Sequence, residues 1–184
     1  MALAMYIYES TSKTLPPAAV RGPDGKPLLS WRVLLLPYIE QDGLFREFKL
    51  DEPWDSPHNI NLLDRMPPLY LPFRDAPVAP GHTYYQVIVG PGTPFAGPAG
   101  KGLDDLPNRA STFLIVEAKA AVPWTKPEDL SYDPDGPLPQ LGGIFRDGRF
   151  RAAMADGRVR DLDLTKAEEI RAAIVGRGLP GDLD

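Results

Sequence analysis

The chain opens at full hydrophobicity: Ala2-Leu3-Ala4-Met5-Tyr6-Ile7-Tyr8 has no capping residue and no polar lead-in. It reads as the last turns of a longer helix that has been cut, so residues 1–13 are expected to be the remnant of an N-terminal stalk helix. Thr14-Leu15-Pro16-Pro17 ends it, because proline cannot continue a helix and constrains the residue before it. Pro23-Asp24-Gly25-Lys26-Pro27 has the composition of a turn. Ser30 can cap a helix entering Trp31-Arg32-Val33-Leu34-Leu35-Leu36, which Pro37 kinks or restarts. Tyr38, Gln41, Phe45 and Phe48 recur at helical spacing, and Ile39 and Leu44 widen that apolar face. Asp55-Ser56-Pro57 predicts a further short helix through Leu62 and Leu63.

The pattern then changes. Five prolines between Met66 and Pro80 predict an extended loop. Tyr84 to Val89 is aromatic and β-branched and ends in Gly90-Pro91-Gly92, which predicts a strand. Phe113-Leu114-Ile115-Val116 is uninterrupted by polar residues and is expected to be a central strand buried on both faces. Pro123 to Leu141 is a second proline-rich excursion. Asp147-Gly148 and Asp156-Gly157 separate short segments (Ile144-Phe145, Phe150 to Met154, Val159 to Leu162), which predicts a β-meander. Thr165-Lys166-Ala167-Glu168 reads as a capping box opening a final helix, with Gly176 as its stop. Helices, then strands, then a helix point to an α+β fold with an antiparallel sheet. No repeat and no long linker divides residues 1–184, which are expected to form one domain.

Composition sharpens this picture at three points. The 22 prolines and 17 glycines among 184 residues imply short elements joined by many ordered turns. The absence of cysteine excludes disulfides, zinc–thiolate sites and thiol catalysis together. The formal net charge is −5, and no basic run could neutralise a line of phosphates. Between Arg146 and Arg160 the arginines alternate with Asp147, Asp156 and Asp161, as on a solvated strand face, so nucleic acid is not an expected partner. No apolar run approaches the ~20 residues of a membrane span.

Candidate chemistry is sparse. His58 and His82 are the two histidines. Ser56 and His58 lie in a helix-start context, and no Gly-x-Ser-x-Gly elbow supports a hydrolase. Glu40, Asp51, Glu52 and Asp55 gather around Trp54, like the paired carboxylates and sugar platform of a glycosidase cleft. Asp133-Pro134-Asp135-Gly136 matches half of a calcium loop, and Asp133 and Asp135 are the candidate ligands; a third acid and the closing Glu are lacking. Trp31, Trp54 and Trp124 each lie in or beside a proline-rich stretch. They can pin loops to the core or offer a platform to a glycan or protein.

Three blocks carry a family resemblance. The first runs Ser30-Trp31-Arg32-Val33, Leu35-Leu36-Pro37-Tyr38-Ile39-Glu40-Gln41 and Asp51-Glu52-Pro53-Trp54-Asp55-Ser56-Pro57-His58-Asn59. The second is Phe113 to Glu117 followed by Val122-Pro123-Trp124-Thr125-Lys126-Pro127-Glu128-Asp129-Leu130. The third is Ala153-Met154-Ala155-Asp156-Gly157-Arg158-Val159. Together they resemble the large planctomycete family of unknown function with a prepilin-type cleavage and methylation signal and a closing His-(nine residues)-Asp-Gly motif. The chain departs from that pattern twice. Arg146 stands at the motif's His position, and Pro107-Asn108-Arg109-Ala110-Ser111-Thr112 replaces the family's Asp-Gly-Thr-Ser-Asn-Thr.

The resemblance implies a pilin-like head whose N-terminal helix stub packs on the sheet, the membrane-anchoring part of that helix being missing here. It also implies structural roles for the motif residues Pro53, Asp55, His58, Asn59, Asp156 and Gly157. The expected function is a non-enzymatic assembly module at the periplasmic face or cell surface, partnered by other pilin-like subunits or envelope proteins. An extracytoplasmic binding module for glycan or an envelope protein is the alternative, and a hydrolase a more distant one.

Overall fold

A computed structural model of the chain describes residues 1–73, 76–144 and 147–177, and the fold over them is α+β. Helix α1 (Ala2–Ser12) stops where Lys13 turns left-handed at φ 63° and donates its N–H to the Glu9 carbonyl. Strands β1 (Ala19–Arg21) and β2 (Pro27–Ser30) form an antiparallel hairpin around the expected turn. Ser30 then caps α2 (Trp31–Leu34), its hydroxyl accepting from the Arg32 N–H. As the prolines and caps predict, the elements here are short.

The main sheet has four antiparallel strands in the order β3 (His82–Gln86), β5 (Phe113–Pro123), β7 (Arg149–Met154), β8 (Val159–Asp163). The central position of β5 is the expected one, and Phe113 to Ala118 are all buried. One sheet face carries Tyr85 and Ile115 and packs under Ala4 and Met5 of α1. The opposite face carries Phe113, Phe150 and Met154 and is covered by Ile170, Ala173 and Ile174 of α4 (Ala167–Val175). A third cluster joins β2, α2, α3 (Asp42–Glu47) and the 59–70 segment around Trp124. Among the described residues no helix is long and apolar enough to cross a membrane.

Five local expectations are corrected. The helical run from Tyr38 is broken at Glu40, whose φ of 61° separates a 3-10 turn (Leu36–Ile39) from α3. The short helix expected after Pro57 is present, as a 3-10 helix (Asn59–Arg65), while Pro68–Tyr70 adds a 3-10 turn inside the expected loop. The Tyr84–Val89 strand is split at Val87. Its second half, β4 (Ile88–Val89), pairs in parallel with β6 (Leu130–Ser131) in a separate sheet. Gly90 sits where a Cβ would fall 2.1 Å from the Tyr132 carbonyl, so only glycine allows this approach. The meander holds for β7 and β8; before them Leu141 bridges to Ala118 and Ile144 lies outside any strand, while Phe145 and Arg146 lie outside the described residues. The capping box at Thr165 does not form: Asp163 accepts both the Thr165 N–H and hydroxyl, which takes that side chain away from the helix.

Candidate functional site

The motif blocks meet in the interior. Arg32 in the first turn of α2 is wholly buried. Its Nε and Nη2 donate to the Tyr85 carbonyl at 2.9 and 2.6 Å, and Nη1 donates to Ser30 Oγ at 2.6 Å. Nη2 also reaches Asp129 Oδ1 at 3.1 Å, an ion pair with both side chains nearly inaccessible. That same oxygen accepts from Trp31 Nε1 at 3.1 Å and from the Val87 N–H at 2.9 Å. The Val87 N–H is thus claimed by a side chain, which is why the strand divides there. Tyr70 donates its hydroxyl to the Arg32 carbonyl at 2.8 Å, and Thr83 donates to the Tyr70 carbonyl at 2.7 Å.

Electrostatically the hub is closed. Burial pushes the Asp129 carboxyl above its ordinary range, opposed by Arg32 and the donated N–H groups. Burial likewise lowers Arg32, and it pushes the Tyr70 phenol far above its ordinary value. Two opposite charges cancel out of reach of solvent, an arrangement suited to fixing a fold and not to exchanging protons with a substrate.

A second hub is built by Asn59. Its Nδ2 donates to the Lys49, Glu52 and Pro53 carbonyls at 2.9, 3.1 and 3.1 Å, and its Oδ1 accepts from the Lys49 N–H at 3.0 Å. One buried amide therefore closes the 49–53 loop. Ser56 Oγ accepts the Asn59 N–H at 3.0 Å, and the exposed His58 donates from Nε2 to the Glu47 carbonyl at 2.8 Å. Pro53 and Asp55 are exposed, Pro53 taking part through its carbonyl.

The tryptophans divide. Trp31 and Trp124 are fully buried, which corrects their reading as binding residues: neither has a face to offer. Trp124 stacks on Tyr70 with centroids 5.7 Å apart, meets Phe48 edge-on, and donates Nε1 to the Leu63 carbonyl at 2.9 Å. It pins a loop, as the alternative reading holds. Trp54 is half-buried, with Lys126 Nζ 5.7 Å from its ring centre.

Asp133 Oδ1 accepts the Asp135 N–H at 3.1 Å and the Asp133 carbonyl accepts from Gly136, so these residues shape an Asp-Gly turn. Among the described residues no three His, Asp or Glu side chains converge as a metal site, there or around Trp54. Asp156 accepts the Arg158 N–H at 2.9 Å, and Gly157 at φ 88° completes the β7–β8 turn. A Cβ on Gly157 would lie 3.2 Å from the Tyr6 hydroxyl, which donates to the Ala155 carbonyl at 2.9 Å. The C-terminal motif thus receives α1.

With this geometry in view, the sequence match is informative. A profile for a protein family of unknown function (DUF1559) matches residues 1–108, more than half of the chain. The chain belongs to the DUF1559 family. No curated protein and no solved structure matches it. The matched span of this DUF1559 member contains Ser30, Trp31, Arg32 and Asn59, while Trp124 and Asp129 lie beyond it.

The roles of Arg32 and Asp129 were not assigned from sequence. The signal was an arginine inside the apolar run Trp31 to Leu36, because a charge placed among core residues must find a partner.

A surface ion pair flanks the Asn59 hub. Two bonds from Arg65 hold the Glu47 carboxyl below the ordinary carboxylate range, and Lys49 with Ser56 does the same for Glu52. When the folded pKa is depressed, the unfolded chain takes the proton first. The stability these pairs add is present above the ordinary range and lost as pH falls through the depressed values. The urea midpoint is therefore expected to decline below about pH 4.3. A Glu47→Gln chain should lose less over the same interval, and equal declines in both would contradict the assignment.

Proposed function

We propose that this chain is a non-enzymatic assembly module, the head of a pseudopilin-like protein displayed at the periplasmic face or cell surface and joined to neighbours through α1. The observation that carries the proposal is the apolarity of α1 on two sides. Ala4 and Met5 are buried against the sheet, while Leu3 is 69% and Ile7 43% exposed one turn apart on the outer side. A helix that merely covers a core has a charged outer face. This one has no charged residue before Glu9, so its outer stripe suits packing against other helices. The buried Asn59 and the Arg32–Asp129 pair fit the same reading, since they hold the head together.

The test is a photo-crosslinking residue at Ile7 in the full-length protein in its native cells. Capture of a second copy of the chain, abolished by Leu3→Asp, is the expected outcome. The absence of such a product, with the same yield of other adducts from a probe at Asp55, would sink the assembly reading. Trp54 sustains a second reading, a module that binds glycan or an envelope protein. Saturable quenching of its fluorescence by an oligosaccharide, lost in Trp54→Ala, would move that reading to first place.

A further inference from the structure

A cleft of about 670 Å³ opens between α4 and the loops that carry Pro91, Pro107 and Pro134. It falls in the range of ordinary small-molecule sites. Of the charged side chains among its described lining residues, Lys101, Arg171 and Arg177 are cations and Glu168 is an acid. That excess runs against the net charge of −5 of the chain. Elsewhere on the surface Lys26, Arg46, Lys49, Arg65 and Arg109 each sit against a carboxylate.

The cleft cations are held differently. Lys101 Nζ donates to the Gly92 carbonyl at 2.9 Å. Arg171 donates to the Pro134 and Gly136 carbonyls at 3.4 and 2.8 Å. Among the described residues no carboxylate lies within ion-pair distance of Lys101, Arg171 or Arg177. Backbone carbonyls fix a cationic head group in place without neutralising it, and a guanidinium has five N–H groups, so donors remain for a ligand. Between the charged groups the walls are formed by prolines, Tyr132, Ala172 and Val175. Proline rings have a fixed φ, Tyr132 is 8% exposed, and a Cβ on Gly92 would already touch Val175 at 3.0 Å. Apolar wall residues beside cations held by backbone carbonyls suit an organic anion.

We propose that this cleft binds a small organic anion that carries one or more carboxylates on an apolar body. Carboxylate matches the Arg fork and the Lys charge, and the proline and tyrosine walls select for a body that inorganic anions lack. The site is lined by α4 and not by α1, so it stands or falls separately from the assembly role.

The test is an NMR titration of the ¹⁵N-labelled chain with phenylacetate and adipate, with adipamide and inorganic phosphate as controls. Saturable shifts are expected at the amides of Gly92, Tyr132, Ala172 and Val175, with a Kd near 1 mM or tighter. Adipamide and phosphate should bind several-fold more weakly. Lys101→Gln with Arg177→Gln should weaken adipate about tenfold while leaving the fold intact. Arg171 is left in place because it ties the 134–136 turn. Any of four results would overturn the proposal: no saturation up to about 10 mM, shifts confined to another surface, equal binding of adipamide or phosphate, or unchanged affinity in the double variant.

Discussion

Replacing Asp129 by alanine is expected to cost about 3–5 kcal/mol of folding stability. The change leaves the Arg32 guanidinium charged and wholly buried, and strips an acceptor from Trp31 Nε1 and the Val87 N–H. The penalty comes chiefly from what is orphaned, not from the worth of the pair. A double variant, Arg32→Met with Asp129→Leu, removes both charges together and should recover the part of the loss due to the uncompensated guanidinium, while Trp31 Nε1 and the Val87 N–H stay without their acceptor and the Tyr85 carbonyl loses its donor. Urea unfolding measures both, provided the slope of the transition is unchanged. A loss below about 1 kcal/mol in Asp129→Ala, the level of an exposed ion pair, would mean that the pair is solvated and that the hub does not organise the interior.

Trp124→Ala is expected to cost a similar amount, about 3–5 kcal/mol, for a different reason. The indole fills the space between Tyr70 and Phe48, and its removal leaves a cavity that those rigid rings cannot close. Trp124→Phe keeps an aromatic body and loses the bond to the Leu63 carbonyl, so about 1–2 kcal/mol is expected. The ordering of the two variants is the check. A ligand platform would show the reverse sensitivity, with binding altered and the urea midpoint within about 0.5 kcal/mol of the parent.

Both variants probe residues that lie in motif blocks of the sequence; loop-pinning was one of two readings open for Trp124, and the pairing of Asp129 with Arg32 was not legible. The block around Pro53 to Asn59 was legible as a motif, yet Trp54, Asp55, His58 and Asn59 turn out to do unlike things. Asn59 is buried and binds four backbone groups, His58 is exposed and reaches one carbonyl, Asp55 faces solvent, and Trp54 lies between. Residue type and spacing place a segment, but they do not say which of its side chains turns inward. Thr165 makes the point from the other side. Its capping-box pattern was locally sound, and a nearer acceptor at Asp163, brought by the end of β8, took the hydroxyl instead.

What the sequence determined by itself was governed by forces acting within a few residues. The Ser30 cap, the Asp156-Gly157 turn, the glycine end of α4 and the apolar run of β5 all stand as read, and with them the α+β class. Each follows from a restricted φ, a donated N–H or the burial of adjacent apolar groups. Only the tertiary structure decided which distant groups meet: Arg32 with Asp129 across 97 positions, the division of the Tyr84–Val89 strand, and the cations around the α4 cleft. Those outcomes depend on desolvation and on competition among donors and acceptors far apart in the chain, neither of which is encoded at any one position.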